Sequence, residues 1–257
     1  MTDEERLALA LERARVRVKS GIGTQSEKLV HQTLKYFLEP DESCHEVKIG
    51  NYTADIFQRE TGRIFEIQTR GFDRLREKLS VFLKDYPVTL VYPCTGIKYL
   101  NWIDPETGEV GKPHKSPRKG RPSDALPEIY RLMDLWNHEN LEILVLMIDM
   151  EEFRLQDGYG KDNKHGSHRY ERIPLAIDRW VRLKQTKDYI DLLPDALPAE
   201  FDRQTLMKAL KLGGMKGSFA VTMLERAGAI ERGGMSVNRE TKGKRIRYHR
   251  ADWEKET

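Results

Sequence analysis

Asp55 and Glu66 are the residues whose type and spacing could carry chemistry in this chain. Two runs rich in β-branched and aromatic residues, 53–57 and 63–69, flank Arg59-Glu60-Thr61-Gly62, which has turn chemistry. Residues 52–70 therefore read as a β-hairpin. A turn centred between Glu60 and Thr61 sets Asp55 directly opposite Glu66, and a bulge at Gly62 would shift that pairing by about one residue. The pleat puts Ile64, Glu66 and Gln68 on one face and Phe65, Ile67 and Thr69 on the other. Like charges facing each other across a ladder are destabilising. A hard divalent cation would neutralise them, because Mg²⁺ is held by one or two carboxylates plus phosphate oxygens.

The elements around the hairpin must position that pair. Residues 24–38 read as a helix, opened by Thr24-Gln25-Ser26-Glu27, which matches a capping box. Glu27 has two readings, since it also shares a helical stripe with His31, Leu34 and Leu38 and would then point towards the site. His31 lies one turn further on, within range of the site or of a phosphate. A strand over 45–49 precedes the hairpin, with Lys48 as a candidate cation and a solvated edge lysine as the plainer reading. After the hairpin come an amphipathic helix over 72–85, a strand over 88–92, a helix over 126–138 and an apolar run, 141–149, that reads as a strand buried on both faces. Helices alternating with such strands indicate an α/β sheet sandwiched between helices.

The order of elements, with Glu27 on a helix, Asp55 on a hairpin and Glu66-Ile67-Gln68 on the next strand, resembles the PD-(D/E)xK nuclease superfamily. The resemblance covers residues 24–93. It implies a restriction-endonuclease-like mixed sheet flanked by helices, a catalytic group of Glu27, Asp55, Glu66 and Gln68, and Mg²⁺ or Mn²⁺ held by Asp55, Glu66 and the Ile67 carbonyl. The family's lysine position holds Gln68, which can orient a water but cannot supply a cation or act as a base.

Two segments carry local positive charge in a chain whose net charge is only +3. Residues 111–122 form an aperiodic, proline-bearing stretch with Lys112, Lys115, Arg118, Lys119 and Arg121. Residues 158–172 read as a loop with Lys161, Lys164 and Arg169. Its His165 and His168 lack a neighbouring cysteine or carboxylate at zinc spacing. A nuclease must grip a polyanion, so phosphate contact is expected of both.

Near residues 192–198 the character changes, and the prolines there mark a linker between a nuclease-like domain over 1–190 and a small domain over 191–257. The latter resembles a winged helix-turn-helix, with helices over 205–212 and 218–227, a turn at Gly213-Gly214 and wing strands over 229–232 and 245–249. Arg239, Lys242, Lys244, Arg245 and Arg247 make the wing basic. Such domains place the second helix in the major groove and the wing on the backbone.

At 257 residues, 39 % hydrophobic and 33 % charged, the composition fits a globular protein. Two cysteines make no disulfide framework, and no apolar run approaches a membrane span. The expectation is a cytoplasmic, metal-dependent deoxyribonuclease, endonuclease favoured, acting on duplex DNA and not on membranes, with a homodimer allowed for. The alternative is a non-catalytic DNA-binding protein on a degenerate nuclease fold.

Overall fold

A computed structural model describes residues 1–19, 25–157, 166–237 and 244–252. Helices α1 (Asp3–Lys19) and α2 (Gln25–Leu38) lead into three antiparallel strands, β1 (His45–Ile49), β2 (Tyr52–Gln58) and β3 (Arg63–Ile67). A 3₁₀ turn, Phe72–Leu75, and α3 (Arg76–Phe82) cross over to β4 (Val88–Ile103), which runs parallel to β3. The two-residue β5 (His114–Lys115) pairs with β4, and α4 (Leu126–Tyr130) crosses to β6 (Leu141–Leu155). β6 is parallel to β4, and β7 (His168–Leu183) returns antiparallel at the edge. The mixed sheet has the order β1-β2-β3-β4-β6-β7, with β5 off β4.

Alternation sends this sheet's side chains to two cores, which is why helices must cover both faces. Ile64, Leu90, Ile143 and Val145 meet Leu79 and Phe82 of α3 and Leu126 and Ile129 of α4. Ile56, Ile67, Val91, Leu144 and Leu146 meet Val30 and Leu34 of α2. The next layer is α1, whose Leu7, Ala10 and Ala14 pack on Leu29 and Phe37.

Two departures from the sequence reading reshape the cleft side. The strand expected over 88–92 runs on to Ile103, because a register shift between Thr95 and Lys98 absorbs Gly96. Asp149 accepts the Ile97 N–H at 2.6 Å, so the backbone donor at this bulge is satisfied. Gly120 seals the same spot. Its N–H reaches the Thr95 carbonyl at 3.1 Å, and a Cβ there would lie 2.1 Å from that oxygen. This contact moors one end of the basic stretch 111–122. The second departure is β7. Of the loop expected over 158–172, residues 158–165 lie outside the described residues, while His168 onward is strand, paired through Arg169↔Arg154 and Arg172↔Glu152. The helix expected over 126–138 is also shorter, with α4 followed by a 3₁₀ turn at Met133–Leu135.

The chain continues through α5 (Thr186–Ile190), β8 (Phe201–Asp202), α6 (Arg203–Leu210), α7 (Gly214–Arg226), β9 (Ile230–Val237) and β10 (Lys244–Arg250). β8, β10 and β9 form a separate small sheet in that order. Asp202 caps α6 by accepting the Thr205 N–H at 2.8 Å. Gly228, at φ +70°, makes the turn after α7 that a side chain would strain. The core beneath α3 and α4 runs on without a break through Tyr189, Phe201, Leu206, Val221, Leu224 and Tyr248. At the seam, Phe219 of α7 stacks on Tyr130 of α4 with centroids 4.5 Å apart, and Arg226 lies over the same ring at 5.3 Å. Among the described residues no helix is long and apolar enough to cross a membrane.

Candidate active site

The β2–β3 ladder pairs Gln58 with Arg63, Phe57 with Ile64 and Ile56 with Phe65, the register that places Asp55 opposite Glu66. There side chains take over from backbone carbonyls. The Asp55 N–H donates to Glu66 Oε1 at 3.2 Å, and the Ile67 N–H donates to Asp55 Oδ2 at 2.9 Å. Each carboxylate thus accepts an amide from the other's strand. On the opposite edge of β2 the ladder with β1 is irregular too. Glu46 has φ +53°, a left-handed conformation that costs a non-glycine residue about 1–3 kcal/mol. It sits between the pairs His45↔Ile56 and Val47↔Ala54, so β2 is distorted at Asp55 from both sides.

Three basic side chains surround the pair. His31 Nε2 lies 3.2 Å from Asp55 Oδ2. Lys35, one helical turn further along α2 and only 2 % exposed, pairs with Glu46 at 2.9 Å and stands 4.0 Å from Asp55 Oδ1. Lys78 of α3 reaches Glu66 Oε2 at 2.5 Å. The two acids therefore differ. Burial works to raise the Asp55 carboxyl, but His31, the Ile67 amide and Lys35 together outweigh it and hold Asp55 below its ordinary value. Burial, and then the charge of Asp55, pushes Glu66 up to about 7 against the pull of Lys78.

Lys35 and Lys78 are the residues sequence reasoning missed. Lys35 is spaced four residues from His31, and Lys78 lies between Leu75 and Phe82 on the inward face of its helix. Those spacings were the available signal. Lys48, by contrast, is an exposed ladder residue paired with Thr53. Glu27 falls on α2, but its side chain lies outside the described residues. Gln68 does not follow the pleat expected of it. β3 ends at Ile67, and the Gln68 amide donates to the Arg70 carbonyl at 2.7 Å instead of turning to Glu66.

A cleft of about 1220 Å³ opens beside the pair, and His31, Ile67 and Gln68 line its near wall. The carboxylates themselves sit behind that wall, Glu66 being 2 % exposed. Arg70, Arg74, Lys98, Arg118, Arg131, Arg169 and Arg172 face the cleft, against Asp73, Asp124 and Glu128. All three acids are engaged, Asp73 by Arg131 at 3.2 Å, Glu128 by the Gly71 N–H at 2.7 Å and Asp124 by the Arg121 N–H at 3.1 Å.

Of the cations expected to grip phosphate, the cleft gathers Arg118 and Arg169. Lys112, Lys115 and Lys119 are exposed outside it, and Arg121 turns away to the Ala209 carbonyl at 3.3 Å. Arg245 is paired with Asp202 at 2.9 Å, and Arg247 lies 3.8 Å from Glu200. Lys161, Lys164, Arg239 and Lys242 lie outside the described residues, as does the side chain of Lys244. His165 does too, while His168 is bonded to Asp157. The face of α7 that would enter a groove is largely taken up by α4, leaving chiefly Met215, Lys216 and Arg226 exposed.

Among the described residues no three His, Cys, Asp or Glu side chains converge on one point. Asp55 and Glu66 are nonetheless hard oxygen donors of the kind Mg²⁺ takes with water and phosphate in its other positions. In kind, the donor set fits.

A family model described as a domain of unknown function, DUF8091, matches residues 28–184. That span holds the whole large sheet, Asp55, Glu66, Lys78 and the cationic cleft wall. The chain is also similar to an uncharacterized protein of Treponema pallidum (strain Nichols), 32 % identical over 158 residues. That stretch is 62 % of this chain and 59 % of the relative, so the chain spans about three-fifths of the curated relative it matches. No solved structure matches.

Proposed function

The chain belongs to the DUF8091 family, a domain of unknown function, and we propose that it is a metal-dependent nuclease hydrolysing phosphodiester bonds in DNA. One observation carries this reading: two apposed carboxylates of unequal acidity, with Lys78 on one of them, directly behind the near wall of a wide arginine-lined cleft. Unequal acidity in a close acidic pair is how sites divide chemical labour.

Asp55 and Glu66 would hold Mg²⁺ or Mn²⁺, with the Ile67 carbonyl as a further oxygen. The ion, when bound, supplies a Lewis acid for the phosphate and lowers the pKa of a coordinated water. Asp55 stands ionised and ready. Glu66 must surrender the proton it holds up to about pH 7, so loading the site releases a proton. Lys78 stands where a cation can balance a phosphate next to Glu66, the place that Gln68 cannot fill. The arginines of the cleft hold the strand by paired donors that match phosphate geometry.

The arrangement of α6, α7 and the β8-β10-β9 sheet supports a winged helix-turn-helix reading of the C-terminal unit. With α7 engaged by Tyr130, its grip on DNA would come from the wing strands rather than from a helix in the major groove.

A second reading, a DNA-binding protein that does not cleave, is favoured by one specific observation. The carboxylates already close the β2–β3 ladder, so they have a structural reason to be present without catalysis. Incubating linear, circular and branched DNA with the protein, with and without Mg²⁺ or Mn²⁺, separates the two. Metal-dependent opening of the circle, lost in Asp55→Asn and Glu66→Gln, supports the endonuclease. Retarded mobility without any cut product upholds the second reading instead.

A further inference from the structure

Beyond the bulge at Thr95–Lys98, strands β4, β6 and β7 extend together past the body of the sheet. Register decides which side chains meet there. Glu152 pairs with Arg172, and Arg154 pairs with Arg169. Lys98 stands two residues before Leu100, the β4 partner of Glu152, so all of these side chains share one face. Glu152 is completely buried and collects the cations around it. Arg154 lies at 2.8 Å, Arg172 at 2.9 Å, Arg169 at 3.4 Å and Lys98 at 3.5 Å. Four cations on one carboxylate leave a formal excess of three positive charges among these five side chains.

Such a cluster is expensive by itself. Burial first, and then Arg172 and Arg154, depress the affinity of Lys98 for its proton against the pull of Glu152. Burial would raise Glu152, but Arg154, Arg172, Lys98 and Arg169 hold it down to about 2, so the carboxylate stays ionised as their fixed anchor. A single buried anion orients guanidinium groups without neutralising them. Arg172, Arg169 and Lys98 open onto the cleft, and Arg118 of the loop moored by Gly120 joins them there.

We propose that Lys98, Arg118, Arg169 and Arg172, organised by the buried Glu152, form a phosphate-binding subsite in the cleft, separate from the Asp55–Glu66 pair. Guanidinium forks match the oxygens of phosphates and carboxylates, and a nucleic-acid strand presents such phosphates in series along a cleft of this width. Its occupant is a backbone phosphate of the strand that the cleft receives. In naming that occupant the inference rests on the nuclease reading, whereas the subsite itself does not.

The test is binding in excess chelator, where cleavage plays no part. Fluorescence anisotropy with a labelled duplex is followed over roughly 50–200 mM salt. Arg172→Gln and Arg118→Gln should each flatten the log–log salt slope by about 0.9, the loss of one phosphate contact. Arg179→Gln, which changes an exposed arginine of β7 beside Asp178, should leave the slope unchanged. Arg118 is exposed and its side chain takes no part in the Glu152 cluster, so that variant keeps the test sound if Arg172→Gln unfolds. Inorganic pyrophosphate is run as a competitor and as a lone ligand. Slopes equal to wild type in both cleft variants, with pyrophosphate binding unaltered, would overturn the subsite. Pyrophosphate binding that both variants weaken, in a protein that ignores DNA, supports the subsite and refutes DNA as the substrate. Loss of slope in a protein that never cleaves supports the subsite while the nuclease reading fails.

Discussion

Replacing Glu66 by Gln tests the electrostatic account of the site, because Gln keeps an acceptor for the Asp55 N–H and removes only the charge. In the unfolded chain Glu66 gives up its proton near 4.5, and in the folded protein it holds it up to about 7. Between those values the folded state binds the extra proton. Its contribution therefore favours folding at low pH, weakens as pH rises from 4.5 to 7 and levels off above that. At about 1.4 kcal/mol for each tenfold change in proton affinity, the change is worth about 3 kcal/mol. Glu66→Gln should abolish it. Urea unfolding at intervals from pH 4.5 to 8 should show the variant gaining about 3 kcal/mol on the wild type across the window. Lys78 meets a charged Glu66 only as pH rises through about 7, so its pull is already contained in the shift and adds no separate offset. His45, whose burial lowers its own pKa, titrates in the same window with opposite sign, but it is common to both proteins and cancels in the difference. Asp55 and Glu152 are held low and act below the window. A difference between the curves that stays constant from pH 4.5 to 8 would refute the burial of Glu66 as the source of its shift.

Lys35→Met should cost about 1–3 kcal/mol, because Glu46 and Asp55 lose a buried cation, and the Asp55 titration followed by carboxyl NMR should move upward. Lys78→Met should abolish metal-dependent cleavage while Gln68→Ala stays within about threefold of wild type, a factor worth under 1 kcal/mol. Equal losses in single-turnover assays of the two would restore Gln68 to the chemistry. Phe219→Ala removes the stack on Tyr130 and should cost about 1–3 kcal/mol. Calorimetry should then show the C-terminal unit melting ahead of the large sheet, and a single transition at the wild-type temperature would count against the seam.

The hairpin at the centre was legible because its signals agreed: turn chemistry at 59–62, alternation on either side, and a register that put Asp55 across from Glu66. The α/β architecture followed from the spacing of apolar runs. What stayed hidden had physical causes. Pro93 and Gly96 argue against a continuing strand, yet a bulge tied by Asp149 lets β4 run on. β7 carries six charged residues among its sixteen and leaves Leu175 and Trp180 exposed, so no alternation marks it as an edge strand. Lys35 and Lys78 go unmarked because an amphipathic stripe is counted by its apolar members. Only the third dimension shows that each ends on a carboxylate of the hairpin. The Glu152 cluster draws on three strands, and local spacing cannot bring those together.

The exchange of amides between Asp55 and Glu66 bears on how relatives of this chain should be read. Wherever a side-chain oxygen stands in for a missing backbone carbonyl, losing it leaves a buried N–H without a partner, at a cost of about 1–3 kcal/mol. A relative with no nuclease activity would still be held to these two acids by its need to fold. Inheritance of the pair is thus no testimony to catalysis. Lys78 donates to a carboxylate but satisfies no backbone group of the hairpin, so the fold alone would hold a relative less tightly to that lysine than to the two acids.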